Sequence, residues 1–140
     1  EIINRAAKLF DNLLVAVALN SSKPTMFDLQ DRLKLVEIVS SRYPNVNFCS
    51  YEGLTIDFAN THNTNVIVRG VRNSSDFNYE SQIAQMNNTM DKALESIFFI
   101  ASDPFKSITS SLVRQVISLN GDYSKFISKD VANHLEKIKK

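Results

Sequence analysis

Apolar runs of strand length, each separated from the next by a segment of helical spacing, restrict how this chain can fold more than any other feature. Leu13 to Leu19 reads LLVAVAL without interruption, as a strand covered on both faces does. Val46 to Tyr51, Val66 to Val68 and Ser96 to Ala101 read as further strands. Ahead of the first, Ile2, Ile3, Ala6, Leu9 and Phe10 recur at helical spacing. Leu29, Leu33 and Val36 form the apolar face of a second helix, with Asp28 as its N-cap. A short helix is expected from Thr55 to Thr61. A long one should run from about Asp76 to Leu94, with Ile83, Met86, Met90 and Leu94 on one face. Thr109 to Leu119, and a segment marked by Val131, Leu135 and Ile138, complete the order. Such alternation means parallel strands joined by crossover helices. We therefore expect an α/β fold, a doubly wound, Rossmann-like parallel sheet with flanking helices, in a single domain over residues 1–140.

Composition excludes more than it identifies. A chain of 140 residues can bury one real core. Sixteen Lys and Arg stand against fifteen Asp and Glu, so no nucleic-acid partner held by bulk electrostatics is expected. Lys137, Lys139 and Lys140 read as a solvated helix end. Cys49 is the single cysteine, which excludes an internal disulfide and any multi-cysteine metal site. It falls in an expected strand and reads as a small core residue. No apolar run approaches the roughly 18 residues of a membrane span. No membrane association is expected, and a cytoplasmic location is.

The most informative segment is Arg69-Gly70-Val71-Arg72-Asn73-Ser74-Ser75-Asp76-Phe77-Asn78-Tyr79-Glu80. It places two arginines at the C-terminal end of the VIV strand, with a glycine between them that lets the backbone turn. Ligands of open α/β sheets bind at that edge, and guanidinium groups there suit phosphates held bidentately. Two more segments go with it. Asn20-Ser21-Ser22-Lys23-Pro24-Thr25-Met26-Phe27 follows the first strand, with Asp28 and Arg32 just beyond. Ser107-Ile108-Thr109-Ser110-Ser111-Leu112-Val113-Arg114 opens a helix with a row of hydroxyls, a ready site for a phosphate. In order and spacing these three segments resemble those of the bacterial phosphopantetheine adenylyltransferase family, and the resemblance covers essentially the whole chain. One departure is large: the family's T-F-D-P-x-x-x-G-H segment is absent from these 140 residues. By the resemblance that segment would precede Glu1, together with the central strand of the sheet, as roughly twenty further residues of a βαβ unit.

The resemblance implies reversible adenylyl transfer from ATP to 4'-phosphopantetheine, giving dephospho-coenzyme A and pyrophosphate. A phosphate monoester is already ionised at neutral pH, so the reaction needs no enzymic nucleophile. It needs cations and preorganised donors that bring two anions together. Lys23, Arg69 and Arg72 are implied as the catalytic cations. Lys23, Thr55 and Arg69 are implied on the phosphopantetheine side. Gly70, Val71, Arg72, Glu80, Phe105, Lys106, Ser107, Ile108, Thr109, Ser110 and Ser111 are implied on the nucleotide side, with Glu80 toward the ribose and Phe105 and Lys106 around the adenine. Mg²⁺ is expected to arrive with ATP rather than in a protein cage. Coenzyme A is expected to compete for an overlapping site as a feedback inhibitor. A homohexamer built as a dimer of trimers is also implied, and Phe98 and Phe99 beside the Met-bearing helix offer apolar surface for it unless they fill the monomer's core.

Each of these residues also has a plainer reading. Lys23 in isolation is a surface lysine. Thr55, and Thr109 or Ser110, are ordinary N-caps. Asp76 and Glu80, four apart, could pair around a metal, but Asp76 suits the positive helix end better. His62 and His134 read as surface residues. Two rival functions stay open: another nucleotidyltransferase of the same fold, acting on nicotinate mononucleotide or making a CDP-alcohol, and a flavodoxin-like binding module without catalysis.

Overall fold

The computed structural model describes residues 1–19 and 25–138. The first helix, α1 (Ile2–Ala6), leads into β1 (Leu13–Leu19). Then come α2 (Leu29–Ser40), β2 (Val46–Glu52), α3 (Thr55–Thr61) and β3 (Val66–Val71). The chain continues through α4 (Ser74–Met90), β4 (Glu95–Ile100), α5 (Asp103–Lys106), α6 (Ser110–Ser118) and α7 (Lys129–Ile138). β1 pairs in parallel with β2, Leu13 opposite Val46 through Leu19 opposite Glu52. β3 pairs in parallel with β4, Val66 opposite Glu95 through Val71 opposite Ile100. The fold is α/β, with parallel strands and crossover helices, as the alternating pattern requires. The described residues form two separate ladders rather than one continuous sheet.

Helix α1 ties the two ladders together. The Asn45 side chain, just ahead of β2, donates from Nδ2 to the carbonyls of Ala7 and Phe10, each at 2.8 Å. On the other side, Arg5 Nη1 donates to the Ile100 carbonyl at 2.6 Å, and its guanidinium lies 5.0 Å from the Phe99 ring centroid. Ser102 Oγ donates to Glu1 Oε1 at 2.6 Å, and this bond is the main reason the Glu1 carboxyl sits below its usual pKa. A compact cluster of Ile56, Ala59 and Leu94, with Ile67 packed against it, joins α3 to β3 and to the turn before β4. Phe98 of β4 meets Phe77 of α4 edge to face, with ring centroids 5.4 Å apart. Phe99 is buried, so this aromatic pair of residues serves the fold of the chain itself.

Several sequence expectations are corrected. LLVAVAL is not covered on both faces: Ala16 and Ala18 are exposed and the other five residues only half-buried. Residues two apart share a face of a strand, and the face bearing Ala16 and Ala18 is the open one. Leu9 falls outside α1 and is 69% exposed. The long helix begins at Ser74, capped by Asn73, and ends at Met90. Leu94 therefore leaves the helix face and enters the core from a turn. Met86 and Met90 are 63% and 54% exposed, and α4 has no buried residue. Cys49 is half-buried rather than a core residue, and burial raises its thiol pKa. His134 is not a plain surface residue, since its Nε2 is buried without a hydrogen-bond partner among the described residues. His62 caps α3 and lies against the Phe58 ring at 4.2 Å.

Candidate active site at the strand ends

Strand β3 runs three residues beyond the apolar VIV, so Arg69, Gly70 and Val71 belong to it and only Arg72 lies past its end. Gly70 does not turn the chain, which corrects the expectation from sequence. Its role is to admit Ile2 of α1: a Cβ on Gly70 would lie 2.9 Å from Ile2 Cγ1. We expect Gly70→Ala to cost about 1–3 kcal/mol in chemical denaturation, the usual range for overpacking, unless Ile2 gives way. The positive-φ glycine of the site region is Gly53, at φ 90°, which turns the chain from β2 toward α3.

Both arginines of the segment hold carboxylates from α4. Arg69 makes a two-pronged pair with Glu80, Nε and Nη2 each 2.7 Å from a carboxylate oxygen. That bond is the first cause of the raised Arg69 pKa, partly offset by burial, and the Glu80 charge adds to it. Arg72 donates from Nε to Asp76 Oδ2 at 2.8 Å and from Nη2 to Asp76 Oδ1 at 3.3 Å. Its Nη1 reaches the Ile108 carbonyl, 36 positions along the chain, at 3.2 Å. Asp76 and Glu80 thus each engage an arginine rather than converging on a shared metal position. The Arg72 side-chain hydrogen bond is the leading cause of a lowered Asp76 pKa. A depressed carboxyl contributes stability above its unfolded pKa and loses it as pH falls through the folded value. The Arg72–Asp76 pair should accordingly stay intact from roughly pH 5 to 9. A chemical-shift titration of Asp76 should show no protonation step within that window.

The hydroxyl segment forms the second wall. Thr109 is the N-cap of α6, accepting from the Leu112 N–H at 3.1 Å. Ser110 and Ser111 occupy the first turn, and Arg114 Nη2 donates to Ser111 Oγ at 3.3 Å. Thr109→Ala should cost about 1 kcal/mol of stability, read by urea denaturation, while Thr109→Ser should be nearly neutral. Ser107 is the C-cap of α5. In that short helix Phe105 is 44% exposed, and Lys106 pairs with Asp103 at 2.7 Å. Ser110 and Arg114 also line a cleft of about 530 Å³ with Thr25, Met26, Phe27 and Arg32. The flank of the lysine loop and the hydroxyl segment therefore face one space. Arg32 helps to place that flank by donating from Nη1 to the Ala18 carbonyl at 3.2 Å. Lys23 itself lies outside the described residues.

Thr55 stands at the first position of α3, whose N-cap is Leu54, so its plain reading as the cap is corrected. Its Oγ1 instead shares a 2.9 Å hydrogen bond with Tyr51 Oη at the end of β2. Sequence reasoning missed Tyr51. The available signal was its position near the C-terminal end of a parallel strand, the end at which open α/β sheets bind ligands.

Comparison with known proteins agrees with this arrangement. Residues 1–116 match the cytidylyltransferase-like family. A phosphopantetheine adenylyltransferase of Lachnoclostridium phytofermentans is 39% identical over 131 residues, covering 94% of this chain and 80% of that protein. That of Burkholderia vietnamiensis is 41% identical over 139 residues, covering 99% and 84%. That of Clostridium perfringens is 38% identical over 136 residues, covering 97% and 83%. The chain belongs to the phosphopantetheine adenylyltransferase family. Membership agrees with the arginine segment at the C-terminal end of β3, where open α/β sheets bind ligands. Among the described residues of this phosphopantetheine adenylyltransferase-family chain, no helix is long and apolar enough to cross a membrane.

Proposed function

We propose that this protein transfers the adenylyl group of ATP to 4'-phosphopantetheine, forming dephospho-coenzyme A and releasing pyrophosphate, reversibly. The phosphate oxygen of phosphopantetheine attacks the α-phosphorus as the bond to the pyrophosphate oxygen breaks. No protein nucleophile takes part. The observation that carries the reading is the Arg72 bridge from the β3 end to the Ile108 carbonyl, which unites the two phosphate-binding segments. The family relationship supplies the substrate pair and favours this reading over the nicotinate mononucleotide and CDP-alcohol alternatives.

In this reading Lys23 and Arg69 meet the phosphate of phosphopantetheine, and Thr55 its arm. Two of the three Arg69 nitrogens hold Glu80, so Nη1 is the one offered to the phosphate. Gly70, Val71 and Arg72 line the ATP phosphates, with Ser107 to Ser111 opposite. Glu80 serves the ribose, and Phe105 with Lys106 the adenine. Because Glu80 touches Arg69, the nucleotide and pantetheine halves of the site are coupled by one ion pair. Mg²⁺ enters as the MgATP substrate complex.

The reading extends to residues 1–140 acting as one nucleotidyltransferase unit, supported by the ion pair between Arg42 beyond α2 and Asp130 of α7 at 2.8 Å. It includes a cytoplasmic homohexamer. The support for assembly is the exposed apolar face of α4, with Tyr79, Met86 and Met90. Sedimentation showing only monomer at micromolar concentration would count against it. Dephospho-coenzyme A should bind as one ligand across both halves, and coenzyme A should compete with it. Isothermal titration of full-length protein tests this: dephospho-coenzyme A should bind more weakly to Lys23→Ala and to Arg72→Ala, and more weakly as salt rises. Equal affinity for all three proteins would overturn the two-ended site.

A further inference from the structure

We infer that Asp76 is a positioning residue of the nucleotide site, acting through Arg72 to hold the β3 end and the Ser107–Ser111 segment in register. The inference rests on the function proposed above and assigns a part to a residue that reading leaves out.

The geometry separates Asp76 from an ordinary helix-capping residue. It stands at the third position of α4, where a carboxylate commonly reaches back to the N–H of the N-cap residue. Here the N-cap is Asn73, and Asn73 Oδ1 accepts from the Asp76 N–H at 2.9 Å. The Asp76 carboxylate goes one residue further back. Its Oδ2 accepts from the Arg72 backbone N–H at 3.3 Å as well as from Arg72 Nε at 2.8 Å. Its Oδ1 accepts from Arg72 Nη2 at 3.3 Å. One carboxylate thus fixes both the backbone and the guanidinium of Arg72. The only guanidinium nitrogen left over, Nη1, is the one directed to the Ile108 carbonyl. Both side chains are about one-third exposed or less, at 32% and 27%, so water competes only partly.

Charge alone does not explain a carboxylate in this place. An acid beside a phosphate-binding arginine weakens the attraction for an anion. What the pair supplies is orientation, because a planar guanidinium gripped along one edge has little freedom left. Charge and orientation predict effects of opposite sign, and that makes the inference testable.

The experiment measures MgATP binding to full-length protein by isothermal titration for wild type, Asp76→Asn, Asp76→Glu, Arg72→Ala and Asp76→Asn/Arg72→Ala. Folding of each variant is checked by circular dichroism. Positioning predicts about tenfold weaker binding for Asp76→Asn, although that variant removes a negative charge. Asp76→Glu keeps the charge but displaces it by one methylene, and should also weaken binding. In the Arg72→Ala background, Asp76→Asn should have no further effect, since a residue acting through another loses its influence with it. Steady-state kinetics should show the change in the KM for ATP or in kcat, with the KM for phosphopantetheine unmoved. If wild type binds MgATP but Asp76→Asn binds it equally well or more tightly, the positioning role is overturned and the proposed function stands. The positioning role is likewise overturned if Asp76→Glu matches wild type, or if the two substitutions are additive. If wild type binds no MgATP, the proposed function fails and this inference with it.

Discussion

Arg69→Ala should lower kcat by about 10²–10³-fold, the usual consequence of removing one preorganised donor from a site where charge develops. The substitution has two consequences that must be separated. It removes the guanidinium proposed to meet the phosphopantetheine phosphate. It also strands Glu80, whose side chain is only 14% exposed and whose carboxylate is held by Arg69 at 2.7 Å. Stranding that carboxylate should cost about 1 kcal/mol of stability, since the pair lies at a partly wet edge. Glu80→Gln in the Arg69→Ala background removes the unpaired charge and should restore the thermal midpoint without restoring kcat. Lys23→Ala should lower kcat on the same scale with no change in folding. Steady-state pyrophosphate release and thermal melting together check both. Near-normal turnover in Arg69→Ala and Lys23→Ala would sink the assignment of these cations.

Leu94→Ala should produce the largest loss of stability, about 2–5 kcal/mol by the record of large-to-small core substitutions. Leu94 is 3% exposed and packs with Ile56 and Ala59, and Ile67 lies against the same cluster. These residues come from α3, β3 and the turn before β4, so the side chain ties α3 to the β3–β4 ladder. Among the described residues Leu94 is one of few large apolar side chains buried to 3% exposure, with Leu135 of α7 the other leucine. Against a total of about 5–15 kcal/mol for a domain, such a loss leaves little margin. Urea denaturation measures it, and a cost under about 1 kcal/mol would contradict this view of the core. Turnover per folded molecule should be unchanged, because the cluster around Leu94, made of Ile56, Ala59 and Ile67, includes no proposed site residue.

Local signals were legible in the sequence wherever the cause is local. LLVAVAL matched the bounds of β1, Thr55 to Thr61 those of α3, and Asp28 and Thr109 cap their helices as expected. Each follows from a few adjacent residues. The errors arose where a distant element decides. Apolar spacing places Met86 and Met90 on one face of a helix but does not say what covers that face, and here they are exposed. Gly70 looked like a turn because the reason for a glycine there, the approach of Ile2, lies 68 positions away in the sequence. The ion pairs of the site show the same limit. Spacing alone put Asp76 near a helix end, but its grip on Arg72, and through it on Ile108, depends on how β3, α4 and the segment before α6 meet. Tyr51 was missed for the same reason.

Every role assigned to the site residues depends on the substrate pair. Pyrophosphate release by full-length protein tests that pair, with MgATP and 4'-phosphopantetheine set beside MgATP with nicotinate mononucleotide and MgCTP with an alcohol phosphate. Release is expected with phosphopantetheine alone, matched mole for mole by dephospho-coenzyme A. Release with either other pair at a higher kcat/KM, or with none of the three, would contradict the proposed function.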